Sequence, residues 1–173
     1  IEKNQIEILN NRSEKWNVKV IDTGNETLTG GRLKRIYEHI KDDDYFLMTY
    51  GDGLADINIK ELIKFHNNHD CLATVTSVQP EGRFGVLKIN NDEVVTDFQE
   101  KPDGDGGYIN GGFFVLSPKV LNYVEGDMTI WEKEPMKILS KEKQLKAYRH
   151  KGFWKPMDTL RDKNFLKNLW ETN

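Results

Sequence analysis

Cysteine is all but missing: Cys71 is the only one in 173 residues. That excludes an internal disulfide framework and a Cys-based metal site, and it fits a reducing cytoplasm. Long apolar runs are missing too. The longest, Gly111 to Leu116, is far too short to cross a bilayer, so no membrane partner is expected. Neither sign of charge dominates, with Lys plus Arg at 25, Asp plus Glu at 28 and a net charge of -3. Nucleic acid is therefore disfavoured as the main partner, since phosphate-backbone binders concentrate positive charge. No Pro/Ser-rich linker, internal repeat or low-complexity segment divides the chain. What is present is 37% apolar and 10% aromatic residues, enough core for one full-sized domain or a large part of a bigger one. The first residue is Ile1, with neither a Met nor a targeting pattern, and the expectation is a fragment of a longer protein.

Periodicity gives the elements. Residues 17 to 22 alternate like a half-buried strand and run into a Thr/Gly-rich loop. Arg32 to Lys41 places Leu33, Ile36, Tyr37 and Ile40 on one helical face. Tyr45 to Tyr50 reads as a strand buried on both sides. Ile59, Leu62, Ile63 and Phe65 mark a helix behind Asn58 as N-cap, and Cys71 to Val78 a further strand. Phe84 to Ile89 and Val94 to Gln99 flank Asn90-Asn91-Asp92 as a β-hairpin. Gly112 to Leu116 is a buried strand, and Ser117-Pro118 opens a short helix. Thr129 with Glu132 forms a capping-box pattern before a helix ending near Lys141. Leu145 to His150 is a strand, and Thr159 with Asp162 opens a last helix. The order predicts an α/β fold with a mixed, mainly parallel sheet and an inserted hairpin. Ligands of such sheets sit beyond the carboxyl ends of the strands.

Two aspartates stand out by position. Asp52, in Tyr50-Gly51-Asp52-Gly53, directly follows a strand, and its flanking glycines leave the carboxylate open. Asp158, in Trp154-Lys155-Pro156-Met157-Asp158-Thr159, lies between a strand and a capped helix. Two such carboxylates on one sheet edge can share a hard cation such as Mg²⁺; each also suits a plain turn or cap. Thr29-Gly30-Gly31-Arg32 reads as an anion site at a helix start or as ordinary loop chemistry. In Glu100-Lys101-Pro102 the lysine can meet a phosphate or belong to a solvated charged pair. Asn110-Gly111-Gly112 permits close ligand approach, with Asn110 able to bond hydroxyls. Other patterns fail. Asp103-Gly104-Asp105-Gly106 starts like a calcium loop but has Phe114 where a Glu is needed. His66 and His69 read as surface residues, and the sequons at Asn11 and Asn25 mean little without secretion.

Taken in order, these pieces resemble the sugar nucleotidyltransferases, from about Trp16 to Trp170. The resemblance rests on Asp22-Thr23-Gly24, Thr29-Gly30-Gly31-Arg32-Leu33-Lys34-Arg35, Tyr50-Gly51-Asp52-Gly53 and Gly82-Arg83-Phe84-Gly85. It continues through Phe98-Gln99-Glu100-Lys101-Pro102, Ile109 to Phe114 and Gly152 to Lys163. The Thr-Gly-Gly-Arg and Phe-Trp-x-Pro-Met-Asp-Thr-Leu-Arg-Asp stretches are those of the cytidylyl branch acting on glucose-1-phosphate. The resemblance implies a Rossmann-like three-layer αβα fold. It further implies transfer of a cytidylyl group from CTP to glucose-1-phosphate, giving CDP-glucose and pyrophosphate for the deoxysugars of surface polysaccharides. By the same resemblance Asp52 and Asp158 hold Mg²⁺ and Lys101 neutralises the sugar phosphate. Gly85, Asn110 and Gly111 line the glucose pocket, Thr29 and Arg32 belong to the nucleotide side, and Gly30, Gly51 and Glu100 join them as substrate-binding residues. A homo-oligomer is expected of the full-length protein. The family's Gly-x-Gly-Thr-Arg loop is absent here, so the chain reads as the C-terminal two-thirds of one domain. As it stands it is expected to hold metal and sugar phosphate but to bind CTP poorly. The rival readings are a UTP- or dTTP-using relative and a non-catalytic sugar-phosphate-binding fragment.

Overall fold

Four strands, β1 (Phe46–Thr49), β3 (Ala73–Val78), β6 (Ile109–Leu116) and β7 (Leu145–Arg149), form the main sheet in the order β1-β6-β3-β7. The computed structural model describes residues 16–80, 86–99 and 107–172. β6 runs antiparallel to both β1 and β3, whereas β3 and β7 are parallel. Three strands thus point one way and β6 alone opposes them, a mixed sheet as expected. β3 is buried along its whole length. Alternation on β6 explains the layers: Phe114 and Leu116 face one side, Val115 the other. On the first side they pack with Leu33 of α1 (Thr29–Arg35), Val120 and Leu121 of a 3-10 helix (Pro118–Tyr123), and Trp131 and Leu139, the latter on α4 (Glu134–Lys141). On the second side Val115 meets Ile57 and Leu62, the latter on α3 (Ile59–Asn67). Helices cover both faces, the three-layer arrangement.

Several local expectations hold with a visible cause. Asn58 caps α3, its Oδ1 accepting the Glu61 N–H at 3.2 Å, and Ser117 accepts the Lys119 N–H at the start of the 3-10 helix. The hairpin forms as β4 (Val86–Ile89) against β5 (Val95–Gln99). Asn90 closes its turn by accepting the N–H groups of Asp92 and Val94. Thr159 and Asp162 make a reciprocal capping box, with Thr159 Oγ1 donating to Asp162 at 2.6 Å and accepting the Asp162 N–H, before α5 (Leu160–Thr172). That hydrogen bond holds the Asp162 carboxyl below the usual range, aided by Lys155 and opposed by burial.

Others are corrected. Residues 17 to 22 form no strand; Val18 and Val20 are exposed, because no strand of the described residues lies alongside. The helix expected over Arg32 to Lys41 starts earlier, at Thr29, and breaks at Ile36, giving α1 and α2 (Tyr37–Ile40) and leaving Tyr37 exposed. β1 is not buried on both sides. It pairs with β6 alone among the described residues, and Leu47 is 49% exposed. Finally, the Thr129–Glu132 capping box does not form: α4 has no side-chain cap, and the Glu132 carboxylate is used elsewhere.

Candidate functional site

Two three-residue strands that periodicity could not reveal decide where the aspartates go. β2 (Gly53–Ala55) and β8 (Trp154–Pro156) pair antiparallel, Gly53 opposite Pro156 and Ala55 opposite Trp154. The ladder continues past both strands, since the Met157 N–H donates to the Asp52 carbonyl at 2.8 Å and the Asp56 N–H to the Phe153 carbonyl at 3.1 Å. Asp52 is therefore bonded to the residue next to Asp158, and both aspartates occupy one end of one ribbon. Both are exposed. A Cβ built on Gly51 would meet nothing within 4 Å, so the approach to Asp52 is open.

The donor set suits a hard divalent ion, being carboxylate oxygen at an accessible edge. Among the described residues no group of three or more His, Cys, Asp or Glu is gathered for a metal. Two carboxylates at one ribbon end are too few for a closed protein cage and leave most of a coordination shell to substrate and water. Mg²⁺ binds in that manner, through one or two carboxylates with substrate phosphates and water completing the shell.

Beside the ribbon stands the start of β6. Asn110 is exposed, with Oδ1 accepting the Gly112 N–H at 2.9 Å and Nδ2 donating to the Tyr50 hydroxyl at 3.4 Å. The two glycines after it have packing causes. At Gly112, φ is +79°, and a Cβ would lie 2.8 Å from the Tyr50 ring. At Gly111 a Cβ would press within 3.0 Å of the Thr76 carbonyl oxygen and Val78 on β3. The Gly111 carbonyl accepts the Trp154 indole N–H at 2.8 Å, which ties β8 to β6. Close packing against the chain itself, rather than ligand approach, is what these two glycines provide.

The Thr29–Arg32 stretch is likewise engaged internally. The N–H groups of Gly30 and Gly31 donate to the Thr129 carbonyl at 2.9 and 3.3 Å, so neither is left for an anion. Thr29 Oγ1 donates to Glu132 at 2.7 Å and accepts the Trp131 N–H at 2.9 Å. Arg32 is exposed, its guanidinium donating to Thr23 Oγ1 at 2.7 Å and to the Asn25 carbonyl at 3.2 Å. The helix-start anion reading is replaced by a docked helix that carries Arg32 exposed. Lys101, Glu100 and Gly85 lie outside the described residues.

Reading the sequence alone missed Glu132 and Tyr50 as partners. The Tyr50 hydroxyl donates to Glu132 at 2.5 Å, and burial, then that bond, push the phenol up. The local sequence pattern points Glu132 to a cap, and no spacing rule links positions 29, 50, 110 and 132. His66 and His69 are also not surface residues. His66 is buried and His69 half-buried, and each places a ring nitrogen 2.9 Å from the buried Thr74 hydroxyl. Burial lowers both pKa values; the neighbouring His69 adds to the effect on His66, and Lys146 to that on His69.

The family model described as nucleotidyl transferase matches residues 4–160. Glucose-1-phosphate cytidylyltransferase of Salmonella typhimurium is 53% identical over 169 residues, covering 98% of this chain and 65% of the relative. Mannose-1-phosphate guanyltransferase of Saccharomyces cerevisiae is 35% identical over 144 residues, covering 80% of this chain and 39% of the relative. Among solved structures, HddC from Yersinia pseudotuberculosis matches with a TM-score of 0.60 at 24% identity, covering 83% of this chain and 63% of that one. That likeness shows a shared fold. The chain spans 65% of the length of the cytidylyltransferase it matches.

Proposed function

Since the chain belongs to the nucleotidyl transferase family, we propose that the full-length protein is a glucose-1-phosphate cytidylyltransferase. It joins CTP and glucose-1-phosphate to give CDP-glucose and pyrophosphate, and the product enters deoxysugar and surface-polysaccharide synthesis in the cytoplasm. The 53% identity to a cytidylyltransferase supports the choice of base and sugar. The observation that carries the reaction class is the ribbon, which brings Asp52 and Asp158 to one end.

In this reading a phosphate oxygen of glucose-1-phosphate attacks the α-phosphorus of CTP. The new P–O bond forms as the bond to the β-phosphate oxygen breaks, and pyrophosphate leaves with that electron pair. No covalent enzyme intermediate is required, so positioning and charge neutralisation dominate. Asp52 and Asp158 would hold Mg²⁺, which neutralises phosphate charge when bound. Asn110 presents amide groups to sugar hydroxyls, and Lys101 neutralises the sugar phosphate. Gly85 and Glu100 belong to the same pocket, and Gly111 supports Asn110 through its close packing on β3. Arg32 stands on the nucleotide side as an exposed guanidinium suited to phosphate, on the helix that Thr29 and Gly30 dock, and Gly51 keeps the approach to Asp52 open. The full-length protein acts as a homo-oligomer, and this chain contributes the greater part of its catalytic domain.

The test is pyrophosphate release by the full-length protein with glucose-1-phosphate and, in turn, CTP, UTP, dTTP and GTP. CTP is expected to be preferred. Preference for another nucleotide would move the protein to a sister activity. Release from none would leave a binding module.

A further inference from the structure

We propose that Glu132 is a positioning residue of the sugar-phosphate site, setting through Tyr50 the direction in which Asn110 presents its amide. The inference rests on the nucleotidyl-transfer reading above. Glu132 lies two residues before α4 but does not cap it, and the N-cap position, Lys133, makes no side-chain cap hydrogen bond. Its carboxylate instead reaches two distant hydroxyls. Oε2 accepts from Thr29 at 2.7 Å, and Oε1 accepts from Tyr50 at 2.5 Å.

The chemistry of the carboxylate fixes the sense of the chain of bonds. An ionised carboxylate only accepts, so the single Tyr50 proton is committed to Glu132. The phenol oxygen is left as an acceptor, and the Asn110 Nδ2 group faces it at 3.4 Å. At the other end of the same amide, Oδ1 accepts the Gly112 N–H at 2.9 Å. These two contacts agree on one amide orientation and leave the second N–H of Asn110 to donate to a sugar hydroxyl or phosphate oxygen. Without an acceptor-only partner, Tyr50 can turn its proton toward Asn110, so the phenol no longer accepts from Nδ2 and the Gly112 N–H alone holds the amide.

The Tyr50 ring has packing contacts that do not depend on Glu132. It lies over Gly112, whose missing Cβ would be 2.8 Å from the ring, and edge-on to Phe114 with centroids 5.9 Å apart. Glu132 therefore acts on proton direction rather than on ring placement. Through Thr29 the same carboxylate also ties α1, which carries Arg32, to the residue that leads into Gly51-Asp52.

The experiment uses the full-length protein with E132Q, Y50F and the double variant, in steady-state kinetics varying each substrate. Both single variants are expected to raise KM for glucose-1-phosphate about tenfold, the worth of one hydrogen bond, with KM for CTP held within about twofold. The double variant is expected to match Y50F, because both changes act through one hydroxyl. Equal rises in both KM values, additive losses in the double variant, or a lowered melting temperature with unmoved KM would overturn the proposal. If E132Q does not fold, Y50F alone reads the same hydroxyl. A wild-type protein that turns over no nucleotide defeats the proposed function and this inference together. An active wild type with an unmoved sugar KM in the variants defeats this inference alone.

Discussion

Gly31→Ala separates two opposed effects. On helix propensity alone the change inside α1 gains about 1 kcal/mol. The surroundings reverse the sign. A Cβ at Gly31 would lie 2.4 Å from the Asp127 carbonyl oxygen, 2.6 Å from its Cα and 2.8 Å from its carbonyl carbon. All three are backbone atoms, so no rotamer change relieves the clash. The 127–129 segment has to retreat, and it is held there by the Leu28 N–H on the Asp127 carbonyl at 2.9 Å and the Gly30 N–H on Thr129 at 2.9 Å. The Arg35 guanidinium adds a two-pronged contact to the Asp127 carboxylate at 2.9 and 2.6 Å. Overpacking costs about 1–3 kcal/mol, and one weakened backbone hydrogen bond about 1 kcal/mol more. Set against the propensity gain, the net loss is about 2 kcal/mol, or about 4–8 °C in melting temperature at this size. The assay is denaturant and thermal unfolding of full-length Gly31→Ala beside Gly126→Ala, where a Cβ would meet nothing within 4 Å. The control is expected within about 0.5 kcal/mol of wild type. A Gly31→Ala protein as stable as wild type, or more so, would refute the docking of α1 on the 127–129 segment.

Lys101→Ala in the full-length protein is expected to lower kcat/KM about 10²- to 10³-fold, the worth of one preorganised electrostatic donor, with Lys101→Arg restoring only part. Steady-state kinetics beside melting curves check this, and near-wild-type turnover would return Lys101 to a solvated ion pair. Acid sensitivity follows from His66 and His69, whose pKa values are lowered by burial. An unfolded His titrates near pH 6.5, so below that pH the unfolded chain binds more protons than the fold. Their contribution to stability is full above about pH 6.5 and is lost as pH falls through the lower folded values. Unfolding measured across pH 5 to 8 should show that slope, and His66→Gln should flatten it. A slope unchanged in the variant would refute the assignment.

Most elements were legible in the sequence because burial writes a pattern into each segment, the helical period of α3 and the apolar run of β6, whereas the three layers were implied by the resemblance. Caps were legible where the side chain serves its own helix, as with Asn58 and Thr159. Glu132 misled for the opposite reason: a local pattern pointed to a cap, and two hydroxyls far away in sequence took the carboxylate instead. β2 and β8 are three residues long, too short to carry a period, yet their pairing puts Asp52 beside Asp158. The glycines of Thr29–Arg32 and Asn110–Gly112 were visible as special positions, but their causes lie in the backbones and rings packed on them. The two histidines read as surface residues because only the fold shows the buried Thr74 hydroxyl between them.

Mn²⁺ binding to the full-length protein, read by electron paramagnetic resonance, tests most directly whether Asp52 and Asp158 form one cation site. Manganese reports on hard oxygen ligands of the kind that hold Mg²⁺. The wild type is expected to take up one ion at this site in the presence of CTP. Asp52→Asn and Asp158→Asn are each expected to weaken that same ion, and the double variant to add no second loss. Wild-type affinity in either single variant, or the loss of two different ions by the two variants, would contradict the shared site.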